Sequence, residues 1–117
     1  MYKVRFYKDE DGNQPVLEYI KELGKTNGKD ARVKLKKILD YINVLEERGK
    51  AAGEPYMKNL GDDIWELRPL RDRIFFVAWD GGSFVLLHHF QKKTQKTPKR
   101  EIEKAKKEYD DLRERGL

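Results

Sequence analysis

Two arginines and a lysine pair are the residues of this chain best placed to do chemistry. Arg68 and Arg73 flank Pro69-Leu70-Arg71-Asp72, and Lys92-Lys93 follow the apolar run that ends at Gln91. Trp65 and Leu67 alternate with Glu66 and Arg68, the period of a half-buried strand. Arg73 to Trp79 is rich in aromatic and branched side chains, as strands are. With the four intervening residues as the loop, the two arginines become cross-strand partners. Like charges so opposed are destabilising, which implies an anion for the pair to hold. Two kinds of group nearby can move a proton. His88 and His89 titrate near neutral pH, and His89 is the histidine preferred for that part. Lys92 and Lys93 qualify if neighbouring cations disfavour their charged form. Residue types alone do not choose between lysine and histidine.

These residues need a sheet to hold them. Trp65, Leu67, Ile74, Phe76 and Ala78 fall on the face opposite the arginines and are expected to form the core. Asp80-Gly81-Gly82-Ser83 supplies the positive φ angles of a tight hairpin, and Phe84 to Gln91 returns as a strand. A two-residue loop puts His88, Phe90 and Lys92 on the face of Arg73. A three-residue loop with a bulge puts His89, Gln91 and Lys93 there instead.

Elsewhere the chain reads as scaffold. Tyr2, Val4 and Phe6 alternate with Lys3, Arg5 and Tyr7, so the first residues predict a strand, not a secretory leader. Pro15 opens a helix with Val16, Leu17, Ile20 and Leu23 on its apolar stripe, and Gly24 is its expected stop. A longer helix carries Leu35, Ile38, Leu39, Ile42 and Leu45 at helical spacing and ends at Gly49. Ala51 to Asp63 reads as a loop that packs in part or lines a cleft. Thr97-Pro98 reads as an N-cap followed by proline, opening a last helix with Ile102, Ala105, Tyr109 and Leu112 inward. The order β-α-α-β-β-β-α with a mostly antiparallel sheet is an α+β fold.

The chain has 117 residues, the size of one domain, taken to run over 1–117. It has no cysteine, which excludes disulfides and thiolate metal sites. Asp62-Asp63, two adjacent acids without a third ligand, make a weak metal signal, and neither metal nor cofactor is expected. No run approaches the roughly 20 apolar residues of a membrane span, so a cytoplasmic protein is expected. The net charge of +5 favours an anionic partner. From Gln91 to Lys107 there are eight basic residues against two acidic ones, an excess larger than that of the whole chain. Such a patch suits a phosphate backbone, with binding that weakens steeply in salt.

Three stretches carry a family resemblance. Leu60-Gly61-Asp62-Asp63-Ile64-Trp65-Glu66-Leu67-Arg68, Asp72-Arg73-Ile74-Phe75-Phe76 and Leu86 to Pro98 (LLHHFQKKTQKTP) resemble the RelE/HigB toxin superfamily, in its phage-derived Gp49-like, HigB-like branch. The leading strand and two helices follow the same order, so the likeness covers almost the whole chain. It implies the small RelE-like fold and the toxin of a type II toxin–antitoxin pair, a metal-independent endoribonuclease that cuts messenger RNA, usually on the ribosome. It also implies a helix-turn-helix, HigA-like antitoxin partner, with operator DNA bound only through the complex and no membrane partner. By position, the family's basic site falls on Arg68 and Arg73, with Lys92 and Lys93 beside them, while His89 stays a candidate by residue type alone. The arginines then clamp the phosphate, since guanidinium donates two-pronged to its oxygens, while Lys96, Lys99, Arg100 and Arg71 extend the RNA contact. One departure is evident. Some relatives carry a tyrosine or histidine near the chain end for proton transfer, and here that end is a helix with no matching residue.

Plainer readings exist for each feature. Lysines on an exposed helix are commonly a solubilising face. A histidine among Leu86, Leu87 and Phe90 suits a packed, hydrogen-bonded place, the reading preferred for His88. The aromatic residues Trp65, Phe75, Phe76, Trp79 and Phe84 suit a core better than a base-stacking platform. Arg68 can pair with Glu66 or Asp72. The rival to the toxin is a catalytically inert, basic nucleic-acid-binding module of a repressor complex.

Overall fold

The aromatic run becomes the central strand. In a computed structural model describing residues 1–117, Asp72–Trp79 (β4) lies between Ile64–Leu67 (β3) and Ser83–Gln91 (β5), antiparallel to both. Lys3–Phe6 (β1) runs parallel along the free side of β5, and Met57–Gly61 (β2) pairs antiparallel with β3, giving the order β1-β5-β4-β3-β2. Helices Pro15–Lys25 (α1) and Lys29–Arg48 (α2) share one core with Leu67, Ile74, Phe76 and Leu86. Helix Lys99–Arg115 (α3) shares a second with Ile64, Phe75, Val77, Val85 and Leu87. Both faces of β4 are therefore covered, which is why Asp72 to Val77 is buried without alternation. The result is an α+β fold with a mixed sheet. None of its helices is long and apolar enough to cross a membrane.

The strand β2 falls where a loop is expected. Its polar residues face out, and Met57 alone is fully buried, opposite Leu67. What makes the strand is its turn. Gly61 pairs with Ile64, leaving the two-residue loop Asp62-Asp63 with φ of 52° and 66°. That is the doubly positive backbone of a tight hairpin, usually supplied by Asn-Gly or Asp-Gly. Asp62 also pairs with Lys106 at 3.2 Å, and no three His, Asp or Glu side chains gather to hold a metal ion.

The helical stripes follow period 3.6. Ile38, Ile42 and Leu45 are buried, whereas Leu39 turns outward and is 48% exposed. Ala78, expected in the core, is also exposed. Thr97 is not the cap of α3. Pro98 holds that position, and the Thr97 hydroxyl donates to Glu66 at 2.6 Å instead.

The register of β5 combines both sequence alternatives. Trp79 pairs with Ser83, so the loop has three residues, Asp80 to Gly82. A bulge then shifts the ladder between Ile74–His89 and Phe76–Leu86, restoring the parity. His88, Phe90 and Lys92 thus lie on the face of Arg73, and His89 lies on the face of α1.

Candidate active site

Leu67 pairs with Ile74, so the next rung of the ladder sets Arg68 opposite Arg73. The like-charged pair has an anion of its own. Glu66, 2% exposed, reaches to 3.6 Å from Arg68 Nε and 3.9 Å from Arg73 Nε. Arg73 is buried and fixed, its Nη1 donating to the carbonyls of Leu70 at 2.8 Å and Asp72 at 2.9 Å. Burial lowers its pKa, the charge of Glu66 opposes that, and the charge of Arg68 adds to it. Arg68 is more open. It donates to Glu54 at 3.2 Å, while its Nε is buried without a hydrogen-bond partner. The Glu66 carboxylate faces that Nε at 3.6 Å, an ion pair too long to be a hydrogen bond.

Two adjoining hollows open here, one lined by both arginines and one by Arg73 without Arg68. One, of about 310 Å³, is lined by Lys58, Arg68, Arg73, Lys92, Lys96 and Glu66, with Gln95 and Thr97 at its edge. Five cations thus face one carboxylate. The second, of about 280 Å³, is lined by Leu70, Arg71, Arg73, Lys92, Lys93 and Thr94, with no carboxylate. Arg73 and Lys92 belong to both. The Lys92 N–H donates to the Arg71 carbonyl at 2.8 Å, which ties the end of β5 to the arginine turn.

Arg68, Arg73, Lys92, Lys93, Lys96 and Arg71 are therefore brought together. Lys99 and Arg100 are not; both are exposed on the first turn of α3 and line neither hollow. His89 lies across the sheet, stacked on Tyr19 with ring centroids 3.8 Å apart. Burial lowers its pKa, Asp72 opposes this, and His88 and Lys104 add to it. Tyr19 donates to Asp72 at 2.9 Å, and burial followed by that carboxylate raises its own pKa. His88 is packed on the other face, its ring nitrogens 2.5 Å from Glu108 and 3.0 Å from Glu101.

Glu66, Lys58 and Thr97 also line the first hollow and are not among the site residues picked from the sequence. Glu66 stands two positions from Arg68 on one strand, which was a usable signal for a shared face. Lys58 fell in the presumed loop and Thr97 in the presumed cap.

The model of a family described as phage-derived Gp49-like proteins (DUF891) matches residues 18–110, well over half of the chain. The chain belongs to this Gp49-like family. The family is part of the RelE/HigB-like toxin superfamily and is a RelE-type toxin family, whose members generally act as ribonucleases. No curated protein matches the chain. The part that matches the Gp49-like model contains every residue lining the two hollows.

Proposed function

We propose that this Gp49-like chain is the toxin of a type II toxin–antitoxin pair, a metal-independent endoribonuclease that cuts messenger RNA on the ribosome and so stops translation. The observation that carries the reading is the first hollow, with five cations around one buried carboxylate. Cleavage without a metal has three needs. The 2′-hydroxyl must lose its proton as its oxygen attacks phosphorus. The charge gathering on the phosphate must meet fixed donors. The 5′-oxygen must gain a proton as its bond to phosphorus breaks.

Arg68 and Arg73 serve the second need. The carbonyls that hold Arg73 keep its fork in place before substrate arrives, and preorganised donors need no rearrangement during reaction. Glu66 is the one carboxylate in the hollow and takes the 2′ proton, while Lys92 gives one to the leaving oxygen. The product end is then a 2′,3′-cyclic phosphate. Lys58, Lys96, Lys93 and Arg71 attract and align the strand, and Lys99 and Arg100 face the ribosome. This reading gives His89 no catalytic part. The partner that silences the toxin is a HigA-like antitoxin with a helix-turn-helix domain, which also carries the complex to operator DNA.

The inert-module reading draws on one observation, the pairing of Arg68 with Glu66 and Glu54. Expression without antitoxin separates the two. The toxin arrests growth, and Arg68→Ala/Arg73→Ala relieves the arrest. Mapping of cut ends in translated and untranslated copies of one message then shows cuts in the translated copy. A parent chain that is harmless alone overturns the toxin reading.

A further inference from the structure

The two hollows do not end at Arg71. Leu70 and Arg71 also wall a third and larger concavity, about 470 Å³, between the end of α1 and the start of α2. That volume lies within the roughly 300–1,000 Å³ common for small-molecule sites. Its apolar lining includes Leu23, Val33 and Leu70. Val33 and Leu70 remain 44% and 48% exposed, so two aliphatic side chains in one concavity face solvent. The rim carries Lys29, Lys34 and Arg71 against Asp30. The three hollows share walls in series, with Arg73 and Lys92 common to the first and second and Leu70 and Arg71 common to the second and third.

Leu70 links the third concavity to Arg73 chemically. Its backbone has φ of 58°, a conformation L side chains rarely adopt. In that conformation its carbonyl accepts from Arg73 and its side chain lines the third concavity. One residue therefore braces the anion clamp and walls the apolar seat.

We propose that the third concavity is a nucleobase subsite, holding a base further along the strand whose phosphate Arg68 and Arg73 grip. This rests on the ribonuclease reading above and specifies its substrate as a single strand laid across the three hollows. A ligand that fits must be anionic along its length and must offer flat, largely apolar groups at intervals. A single-stranded nucleic acid does both, because each nucleotide pairs a phosphate with a base that is free to leave the stack. A duplex keeps its bases stacked and leaves the apolar lining uncovered. An acidic peptide matches the rim as well. The middle hollow, whose four charged residues are all cations, favours the regular run of phosphates.

The test uses the full chain and a five-nucleotide single strand of 2′-fluoro RNA, which lacks the attacking hydroxyl, followed by fluorescence anisotropy. A series carries one abasic position at a time. The parent should bind the complete strand, and one abasic position should weaken binding roughly tenfold, within the contribution of one stacked base. In Val33→Glu, complete and abasic strands should bind alike, and Val33→Ala should fall between; the exposure of Val33 keeps both folded, checked by thermal melting. Arg68→Ala/Arg73→Ala should weaken every strand while the abasic effect persists. Binding that senses no abasic position, or an abasic effect that survives Val33→Glu, overturns the subsite and leaves the RNA reading standing. Failure of the parent to bind any strand overturns both. If Val33→Glu spares RNA binding and weakens only an acidic peptide, the concavity is a protein-docking groove and the proposal is wrong.

Discussion

Thr97 donates its hydroxyl hydrogen to Glu66 at 2.6 Å, across 31 positions of sequence. The bond ties the segment before α3 to the strand beneath the two arginines, and it leaves the second oxygen of Glu66 toward Arg68 and Arg73. Glu66→Gln keeps the shape and an acceptor for Thr97 but removes the charge. Stability should fall by about 3 kcal/mol, since a buried ion pair loses one partner, measured by urea unfolding. A non-cleavable strand should bind more tightly because the hollow gains net positive charge. Cleavage should fall by about 10²-fold or more, as for a lost general base. Unchanged cleavage would remove Glu66 from the mechanism.

A second buried network sits under α3. His88 is 2% exposed and lies between Glu108 and Glu101, against the ring of Phe75. His88→Leu strands two carboxylates and should destabilise the chain by about 3–5 kcal/mol. Adding Glu108→Leu should recover part of that loss. A double-mutant cycle by chemical denaturation reads the coupling, and simple additivity would show that the histidine is packed rather than paired.

The arginine pair is legible from spacing alone, because a four-residue turn between two amphipathic runs leaves Arg68 and Arg73 one register in which to meet. The helices are legible for a similar reason, each carrying an apolar stripe of period 3.6. The side of the sheet taken by His88 and His89 is not. It depends on a bulge in β5, and either Leu87 or His88 can be the extra residue without any change in composition. The strand β2 is hidden because Met57 is its one fully buried residue and its turn is Asp-Asp rather than a glycine pair. Thr97 misleads through local logic. A threonine before proline is a good cap by propensity, yet here its side chain turns to donate a charge-assisted hydrogen bond to a buried carboxylate.

His89 makes stability depend on pH. Burial is the largest influence on it and lowers its pKa from 6.5, so the folded state binds fewer protons than the unfolded one. Stability therefore rises with pH through this window. The contribution is complete above about 6.5 and is lost as pH falls through the lowered value. Asp111, held down to about 2 first by the Arg115 hydrogen bond and then by that of Tyr7, acts lower. Its contribution is present above 3.8 and fades as pH falls toward 2. Urea midpoints near pH 5 should lie below those near pH 7 in the parent. His89→Phe, which keeps a ring against Tyr19, should flatten that difference and leave growth arrest intact. Growth arrest lost in His89→Phe at parental stability would return the histidine to the mechanism.

Arg73 is held by two backbone carbonyls and so demands a fork rather than a point charge. Arg73→Lys keeps the charge but cannot reproduce those bonds while also donating to phosphate. Its cleavage rate should drop by about 10²–10³, the usual effect of losing one preorganised donor, with strand affinity falling much less. Lys58 and Lys96 should behave in the opposite way. Each lies in the hollow and is exposed, so Lys58→Ala or Lys96→Ala should change the single-turnover rate little. Each should also reduce the slope of log affinity against log salt by about 0.7, the share of one phosphate contact on a single strand. If Arg73→Lys cleaves at the parental rate, the carbonyl brace has no catalytic use. If the lysine variants keep the parental salt slope, the strand does not cross the first hollow.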